Sequence, residues 1–249
     1  IGNSAGANSG STKQGQTIVG ASAGQYNNGD NNSVLGFGAL QYGSASNSVA
    51  VGNQAIHNGG GGNDVAVGKS AGRNSTGGNN VTVGWAAGLG IQGTSTFANT
   101  VAVGYEALTA LTTGASNTAV GYQALTALTT GIGNTAVGYQ AGSSLLTGSS
   151  NFIVGVGAGA ALTTGSANIL LGQNAGNKVW NQGNNIAIGN NALFNGTAGE
   201  NIATGNEAIN YILKNEQLFT TSILYKDIDY LDILIHENNE KSSLDCFWK

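Results

Sequence analysis

The stretch NTAVGYQALTALTTG, Asn117 to Gly131, decides how this chain folds. Seventeen residues later it begins again as NTAVGYQAGSSLLTG, Asn134 to Gly148. Its kernel is an apolar residue, Gly, two variable residues, Ala, and then Gly, Leu or Ile. Working outward in both directions, the kernel recurs thirteen times, on Gly2, Gly20, Gly36, Gly52, Gly68, Gly84, Gly104, Gly121, Gly138, Gly155, Gly172, Gly189 and Gly205, with Thr204 in place of the apolar residue in the last. Ala stands three residues after every anchor, as at Ala55, Ala71, Ala107 and Ala124. Anchors are 16 or 17 residues apart, except for a first interval of 18 and one of 20 between Gly84 and Gly104.

That period is too short for helix-pair repeats, which need 33 residues or more. It suits one turn of a β-solenoid, with short strands joined by turns. Val49-Ala50-Val51, Val65-Ala66-Val67 and Val101-Ala102-Val103 are short β-rich runs bounded by Asn and Gly. The Asn-Gly, Gly-Asn and Gly-Gly pairs between them supply turn conformations with φ > 0. The expected fold class is therefore all-β: a parallel β-solenoid of about 13 coils over residues 1–209. A different segment, residues 210–249, follows it.

Composition agrees and excludes much else. All 42 Gly precede residue 210, whereas the last 40 residues carry 11 of the 20 charges. Without Pro the Gly content is not collagen, and a lone Cys246 builds no disulfide framework within the chain. A net charge of -4 argues against nucleic acid as a partner. No run of 18 apolar residues exists to span a membrane as a helix. The chain opens inside a repeat at Ile1 and is expected to be a fragment or a processed product.

Alternate strand residues point to opposite faces. One face carries Val or Ile three and one residues before the anchor, and the other carries Ala50, Ala66, Ala102, Ala119, Ala136, Ala187 or Ala203. A strand with one wet face should alternate apolar and polar, so these strands read as buried on both sides. The expectation is that the larger residues fill the coil interior and the Ala face packs closely on a neighbouring subunit.

NSVAVGNQA (Asn47 to Ala55) and NDVAVGKSA (Asn63 to Ala71) resemble the head repeats of trimeric autotransporter adhesins, the YadA-like family. The Asn117–Gly131 stretch is similar to repeats in phage and viral tail fibres. The resemblance covers residues 1 to 209, with a period slightly longer than that of the adhesin heads. It implies a left-handed β-roll wound into a homotrimer, outside the cell, on a bacterial surface or a virion fibre. No coiled-coil stalk or membrane-anchor barrel is recognisable in the sequence.

Several columns could carry a function. Asn lies four residues before the anchor at Asn117, Asn134, Asn151, Asn168, Asn185 and Asn201. A stacked amide row can satisfy turn backbone and its own neighbours; glycan binding is the functional alternative. Trp85, Tyr105, Tyr122 and Tyr139 follow four successive anchors, and Phe37 an earlier one. An exposed aromatic strip can stack on sugars or a receptor, or cover a subunit seam. The long interval inserts residues around Leu89–Phe97, so Ile91, Thr94 and Phe97 become candidate binding residues on a protruding loop. Thr113, Thr130, Thr147 and Thr164 form a row flanked by Thr112, Thr129 and Thr163, which reads either as a β-branched ladder or as an ice-binding surface.

No catalytic, metal or cofactor site is expected. Glu106 and Glu207 lie six coils apart, roughly 29 Å at about 4.8 Å per coil, whereas a glycosidase pair needs about 5 to 9.5 Å. Glu200 and Glu207 share a coil and read as solvated turn residues. His57 and His236 lack ligand company, and Gly59–Gly62 lacks the Lys-Ser/Thr of a phosphate loop. In the tail, Leu224, Ile228, Leu231 and Ile235 fit one amphipathic helix, and the alternative is strand structure through Leu218 to Tyr225; the segment reads equally as a cap for the solenoid end, a receptor-binding tip or a docking segment. The expected function is a trimeric adhesive or structural fibre segment that attaches to a host-cell glycan or protein receptor by multivalent display.

Overall fold

A computed structural model describes residues 1–7, 14–179, 181–194, 199–208 and, for the backbone alone, 219–220. The residues of the proposed tail helix lie outside this set.

The strands are short. They are β1 (Thr17–Val19), β2 (Tyr26–Asn27), β3 (Ser33–Leu35), β4 (Tyr42–Gly43), β5 (Val49–Val51), β6 (Val65–Val67), β7 (Val81–Val83) and β8 (Val101–Val103). They continue as β9 (Thr118–Val120), β10 (Thr135–Val137), β11 (Phe152–Val154), β12 (Ile169–Leu171), β13 (Ile186–Ile188), β14 (Ile202–Thr204) and β15 (Phe219–Thr220). All but β2 and β4 form one 13-stranded sheet in chain order; β2 and β4 pair by themselves. Pairing is parallel and in register, so Ala119 sits beside Ala102 and Ala136. The chain is thus an all-β, parallel solenoid. About 11 turns wind through it rather than 13, because Gly2 has only Ile1 before it and the last strand lies beyond the repeat.

Two features hold each coil on the next. The anchor glycines are one. Gly121 has φ +138, and a Cβ there would meet the carbonyl group of Gly138, with the carbonyl carbon 2.7 Å away. Only Gly combines that backbone angle with that approach. The Asn row is the other. Asn134 donates through its backbone N–H (2.9 Å) and its Nδ2 (3.0 Å) to Asn117 Oδ1, and Nδ2 also reaches the Gly148 carbonyl (2.9 Å). The same pattern of N–H and Nδ2 bonds to the preceding Asn repeats at Asn151, Asn168, Asn185 and Asn201. These residues are buried, so each amide replaces water that the turn backbone would otherwise lack.

The interior overturns the expected facing of the strands. In β5, β6, β8, β9 and β10 the middle Ala is buried, and the Val and Thr residues flanking it point outward. Ala102, Ala119 and Ala136 therefore line the coil's own core and form no subunit interface. The reason lies in the small cross-section of a coil. In the longer coils the interior balances volume across its width and between neighbouring coils. Six positions after Ala102, Ala119 and Ala187 stand Leu108, Leu125 and Leu193, all three buried. Six positions after Ile153 and Leu170 stand Gly159 and Gly176. Ala136 is followed by Gly142, whose place is filled from the adjoining coils, since a Cβ there would lie 2.9 Å from Leu125 Cδ2 and 3.0 Å from Ile153 Cδ1. A Cβ on Gly159 would lie 2.9 Å from Leu170 Cδ1, and one on Gly176 would lie 2.6 Å from Leu170 Cδ2. Close packing leaves no room for both.

Candidate functional site

With Ala inward, the β-branched residues become the surface. Two columns run the length of the sheet, three and one residues before each anchor. Val65 and Val81 in the first are 36% and 37% exposed, and Val67 and Val137 in the second are 39% and 37%. Phe152, Ile169, Leu171 and Ile188 continue the strip toward the C-terminal end. A contiguous apolar sheet face of this length is unusual on a solitary chain.

The aromatic column borders that strip, just beyond the anchor. Trp85 stacks on Tyr105 (centroids 4.9 Å, planes 10° apart), Tyr105 on Tyr122 (5.1 Å, 6°) and Tyr122 on Tyr139 (5.1 Å, 9°). Each ring is between 41% and 50% exposed. Tyr105 and Tyr122 thus have both faces covered by other rings, and what they offer outward is edges and hydroxyls. Phe37 is exposed but stands apart, with Asn53 and Lys69 between it and Trp85 in the column. Beside the rings runs a second ladder: Gln140 Nε2 donates to Gln123 Oε1 (3.1 Å), and Gln123 Nε2 to Glu106 Oε2 (2.8 Å). Partial desolvation, then the nearby Glu106 carboxylate, push the Tyr105 hydroxyl above its ordinary pKa.

The inserted segment divides in two. Ile91 is 51% exposed and Thr94 is also at the surface, bonded back to the Ile91 carbonyl through Oγ1 (3.3 Å). Phe97 is fully buried and belongs to the core, a correction to its place among the candidate binding residues. Ser95, also buried, ties the segment down by accepting from Ile91 N–H (2.6 Å) and donating to the Leu111 carbonyl (3.0 Å).

The threonine row splits likewise. Thr112 and Thr129 donate through Oγ1 to the carbonyls of Thr129 and Leu146 on the next coil (both 2.9 Å), while Thr113, Thr130, Thr147 and Thr164 are exposed.

The row four residues before the anchor begins earlier than its asparagines suggested. Ser48 N–H donates to Asn32 Oδ1 (2.9 Å), Asp64 N–H to Ser48 Oγ (3.1 Å), Asn80 N–H to Asp64 Oδ1 (2.8 Å) and Thr100 N–H to Asn80 Oδ1 (3.1 Å). Asp64 is thus a buried carboxyl among neutral groups. Burial pushes its pKa up to about 6, partly offset by the hydrogen bonds from Asn80. The signal was available in the sequence, since these residues hold the same place before their anchors. The shared chemistry is a side-chain oxygen, not an amide.

His57 is also buried, with Nδ1 2.8 Å from the Gly38 carbonyl and its ring edge-on to Tyr42 at 5.2 Å. Burial holds its pKa below the ordinary value, and the positive charge of Arg73 acts in the same direction. Tyr42 in turn stacks on Tyr26 (5.2 Å, 3°). Among the described residues no three His, Cys, Asp or Glu side chains gather as metal ligands, and no helix is long and apolar enough to cross a membrane.

Comparison of the chain with known protein families, with curated proteins and with solved structures found no match.

Proposed function

We propose that the solenoid is a rigid segment of an extracellular fibre, assembled from three copies of the chain and used for attachment to a host cell or another surface. The observation that carries the reading is the outward Val/Ile strip. It is apolar along most of the sheet, whereas a face meant for water alternates with polar residues. A second copy covers it by the same hydrophobic gain that fills a protein core. The number three and a left-handed winding come from the resemblance to adhesin head repeats. Attachment follows from display: three copies of each weak contact on one stiff rod gain avidity without a deep pocket. The receptor would be a surface glycan or protein, met by exposed side chains such as Ile91 and Thr94 at the loop tip.

The test is sedimentation of the full chain alongside Val103→Lys/Val120→Lys/Val137→Lys. These side chains point outward, so the variant is expected to keep its fold, seen as an unchanged circular-dichroism spectrum, and to sediment as a monomer. The unchanged chain is expected to sediment as a trimer and to bind cells or immobilised glycans on the order of a hundredfold more tightly than the variant. A monomeric unchanged chain at micromolar concentration overturns the reading.

A further inference from the structure

The outward strip is long but narrow. Twelve strands at about 4.8 Å spacing, each three residues of about 3.3 Å, make a patch of roughly 55 Å by 10 Å, about 550 Å². A stable specific interface takes roughly 800 Å² from each partner, and in a closed three-fold ring each chain divides its surface between two neighbours. Contact confined to the strip falls short, so the covered surface has to extend over a border.

The strip has two borders. One is the column just after the anchor, which holds the aromatic ladder. The other is the column five residues before the anchor, where the chain takes up positive φ. In the earlier coils that second column is asparagine and bonds to itself: Asn31 Nδ2 to Asn47 Oδ1 (3.3 Å), Asn63 to Asn79 (3.2 Å) and Asn79 to Asn99 (3.2 Å). Then it turns small, at Ser116, Gly133 and Ser150. The change falls on the coils that carry Tyr122 and Tyr139. Gly133 has φ +67, and a Cβ there would meet nothing within 4 Å. At the levels of Tyr122 and Tyr139 one border therefore carries protruding rings and the other carries only Ser116 and Gly133, whereas at the levels of Trp85 and Tyr105 the second border still carries Asn79 and Asn99.

We infer that the Tyr122–Tyr139 end of the ladder is a subunit seam, covered by a second copy of this chain that presents Ser116 and Gly133 to the rings. The inference rests on the self-association proposed above. Heterologous contacts of this kind, one border against the other, close into a ring. The stacking itself favours a protein wall over a sugar. The inner rings have no open face, and a carbohydrate stacks on faces. Ring edges set against small side chains instead make a close contact that excludes water.

Tyrosine nitration of the assembled full chain by tetranitromethane, read by peptide mass spectrometry, tests this with an internal reference. Tyr26 and Tyr42 are stacked and 40% and 43% exposed, matching the ladder, but they lie six residues past the anchor. In the assembly Tyr122 and Tyr139 are expected to react about tenfold more slowly than Tyr26 and Tyr42, because close contact excludes water and reagent. In the monomeric triple-Lys variant the two groups are expected to react alike. A second variant, Ser116→Asn/Gly133→Asn, fits the fold by precedent, since Asn79 and Asn99 hold that position at φ 62 and 54. It is expected to remain folded and to dissociate at higher concentration than the unchanged chain. A monomeric unchanged chain removes the underlying assembly and this inference with it. An assembled chain with equally reactive tyrosines overturns the seam alone, and so does protection that persists in the monomeric variant. Ladder protection that arises only on adding a polysaccharide assigns the rings to a glycan and also overturns it.

Discussion

Coils on Gly20 to Gly68 run for 16 residues and coils on Gly104 to Gly172 for 17, and the one residue of difference changes what fills them. Seven residues past the anchor the shorter coils place Asn27, Gly43, Gly59 and Ser75, whereas the longer coils place Leu111, Leu128, Leu145, Leu162 and Val179, all fully buried. The buried apolar residues accordingly fall into two clusters. One runs from Ala23 to Ala71 and the other from Ala87 to Ala208. Phe97, supplied by the 20-residue interval between them, opens the second cluster and fills the change of cross-section. The shorter coils rely more on polar rows and backbone ladders, and the longer ones add a layer of leucine.

The largest effect is expected from removing that layer. Leu128→Ala deletes a fully buried side chain between Leu111 and Leu145 and should lower stability by about 2–5 kcal/mol in chemical denaturation. The reciprocal graft, Gly59→Leu, should also destabilise, by about 1–3 kcal/mol. A Cβ at Gly59 would run into Ile56 Cγ2, so the shorter coil has no space for a second leucine. Stabilisation by Gly59→Leu would show that the two regions differ only in sequence, not in room.

Next comes the carboxyl in the polar row of the shorter coils. Asp64 holds its proton more tightly in the folded chain, with a pKa of about 6 against an ordinary 3.8. A folded-state pKa above the unfolded one means that the group lowers stability where it is ionised. The loss is full above about pH 6 and fades as pH falls toward about 4. Two pKa units correspond to roughly 3 kcal/mol as an upper value. Asp64→Asn restores the amide found at this position in the longer coils. It is expected to stabilise the chain at neutral pH by up to that amount and to flatten the dependence of unfolding free energy on pH between about 4 and 6. An unchanged pH profile in the variant would locate the dependence elsewhere.

A smaller effect distinguishes volume from identity in the longer coils. Leu170→Ala opens a cavity and Gly176→Leu overfills the opposite wall, where the three atoms nearest an added Cβ all belong to Leu170. Leu125 and Leu193 already occupy the equivalent place at φ 50 and 51, so the backbone accepts leucine there. The pair Leu170→Ala/Gly176→Leu recreates the Ala119 and Leu125 arrangement, with Ala187 as the next inward residue where that coil has Ala136. In a double-mutant cycle it should recover about 1–2 kcal/mol relative to the sum of the single changes. Additive losses would mean that the exchange of Ala with Leu for Leu with Gly between these coils is coincidence.

Periodicity alone made the solenoid legible, because thirteen anchors in phase admit few other folds. The strand cores and the amide row were legible for the same reason. The direction of the strands was not. Val-Ala-Val alternation gives two faces without saying which is inward, and the choice of the larger residues for the interior ignored the width of a 16- or 17-residue coil. A sign of the inward face stood six residues downstream, where Leu108, Leu125 and Leu193 follow Ala102, Ala119 and Ala187, and Gly159 and Gly176 follow Ile153 and Leu170, although Gly142 after Ala136 and Leu40 after Val34 depart from it. Phe97 was misplaced because an insertion was read wholly as a surface loop, although Ser95 and Phe97 turn inward. The aromatic column was legible as a column, but ring-on-ring stacking that covers its faces depends on side-chain tilt, which spacing does not carry.

The smallest expected effects come from the threonines, which only the longer coils possess as adjacent pairs. Thr129 and Thr130 are neighbours with opposite roles. The Thr129 hydroxyl donates to the Leu146 carbonyl (2.9 Å), but that carbonyl also accepts the Thr129 backbone N–H (2.9 Å). Thr129→Val therefore removes one bond without orphaning its acceptor, and about 0.5–1 kcal/mol should be lost. Thr130 is exposed, so Thr130→Val should stay within about 0.5 kcal/mol of the unchanged chain. The pair also tests the ice-binding alternative. An ice-ordering surface needs a row of free hydroxyls at even spacing. Here the inner hydroxyls are bound to the neighbouring coil, and the outer row runs only from Thr113 to Thr164. No thermal hysteresis is expected from the purified chain, and Thr130→Val/Thr147→Val should leave freezing behaviour unchanged. Hysteresis that falls in this double variant would make the outer threonine row, rather than the Val/Ile strip, the working face of the longer coils.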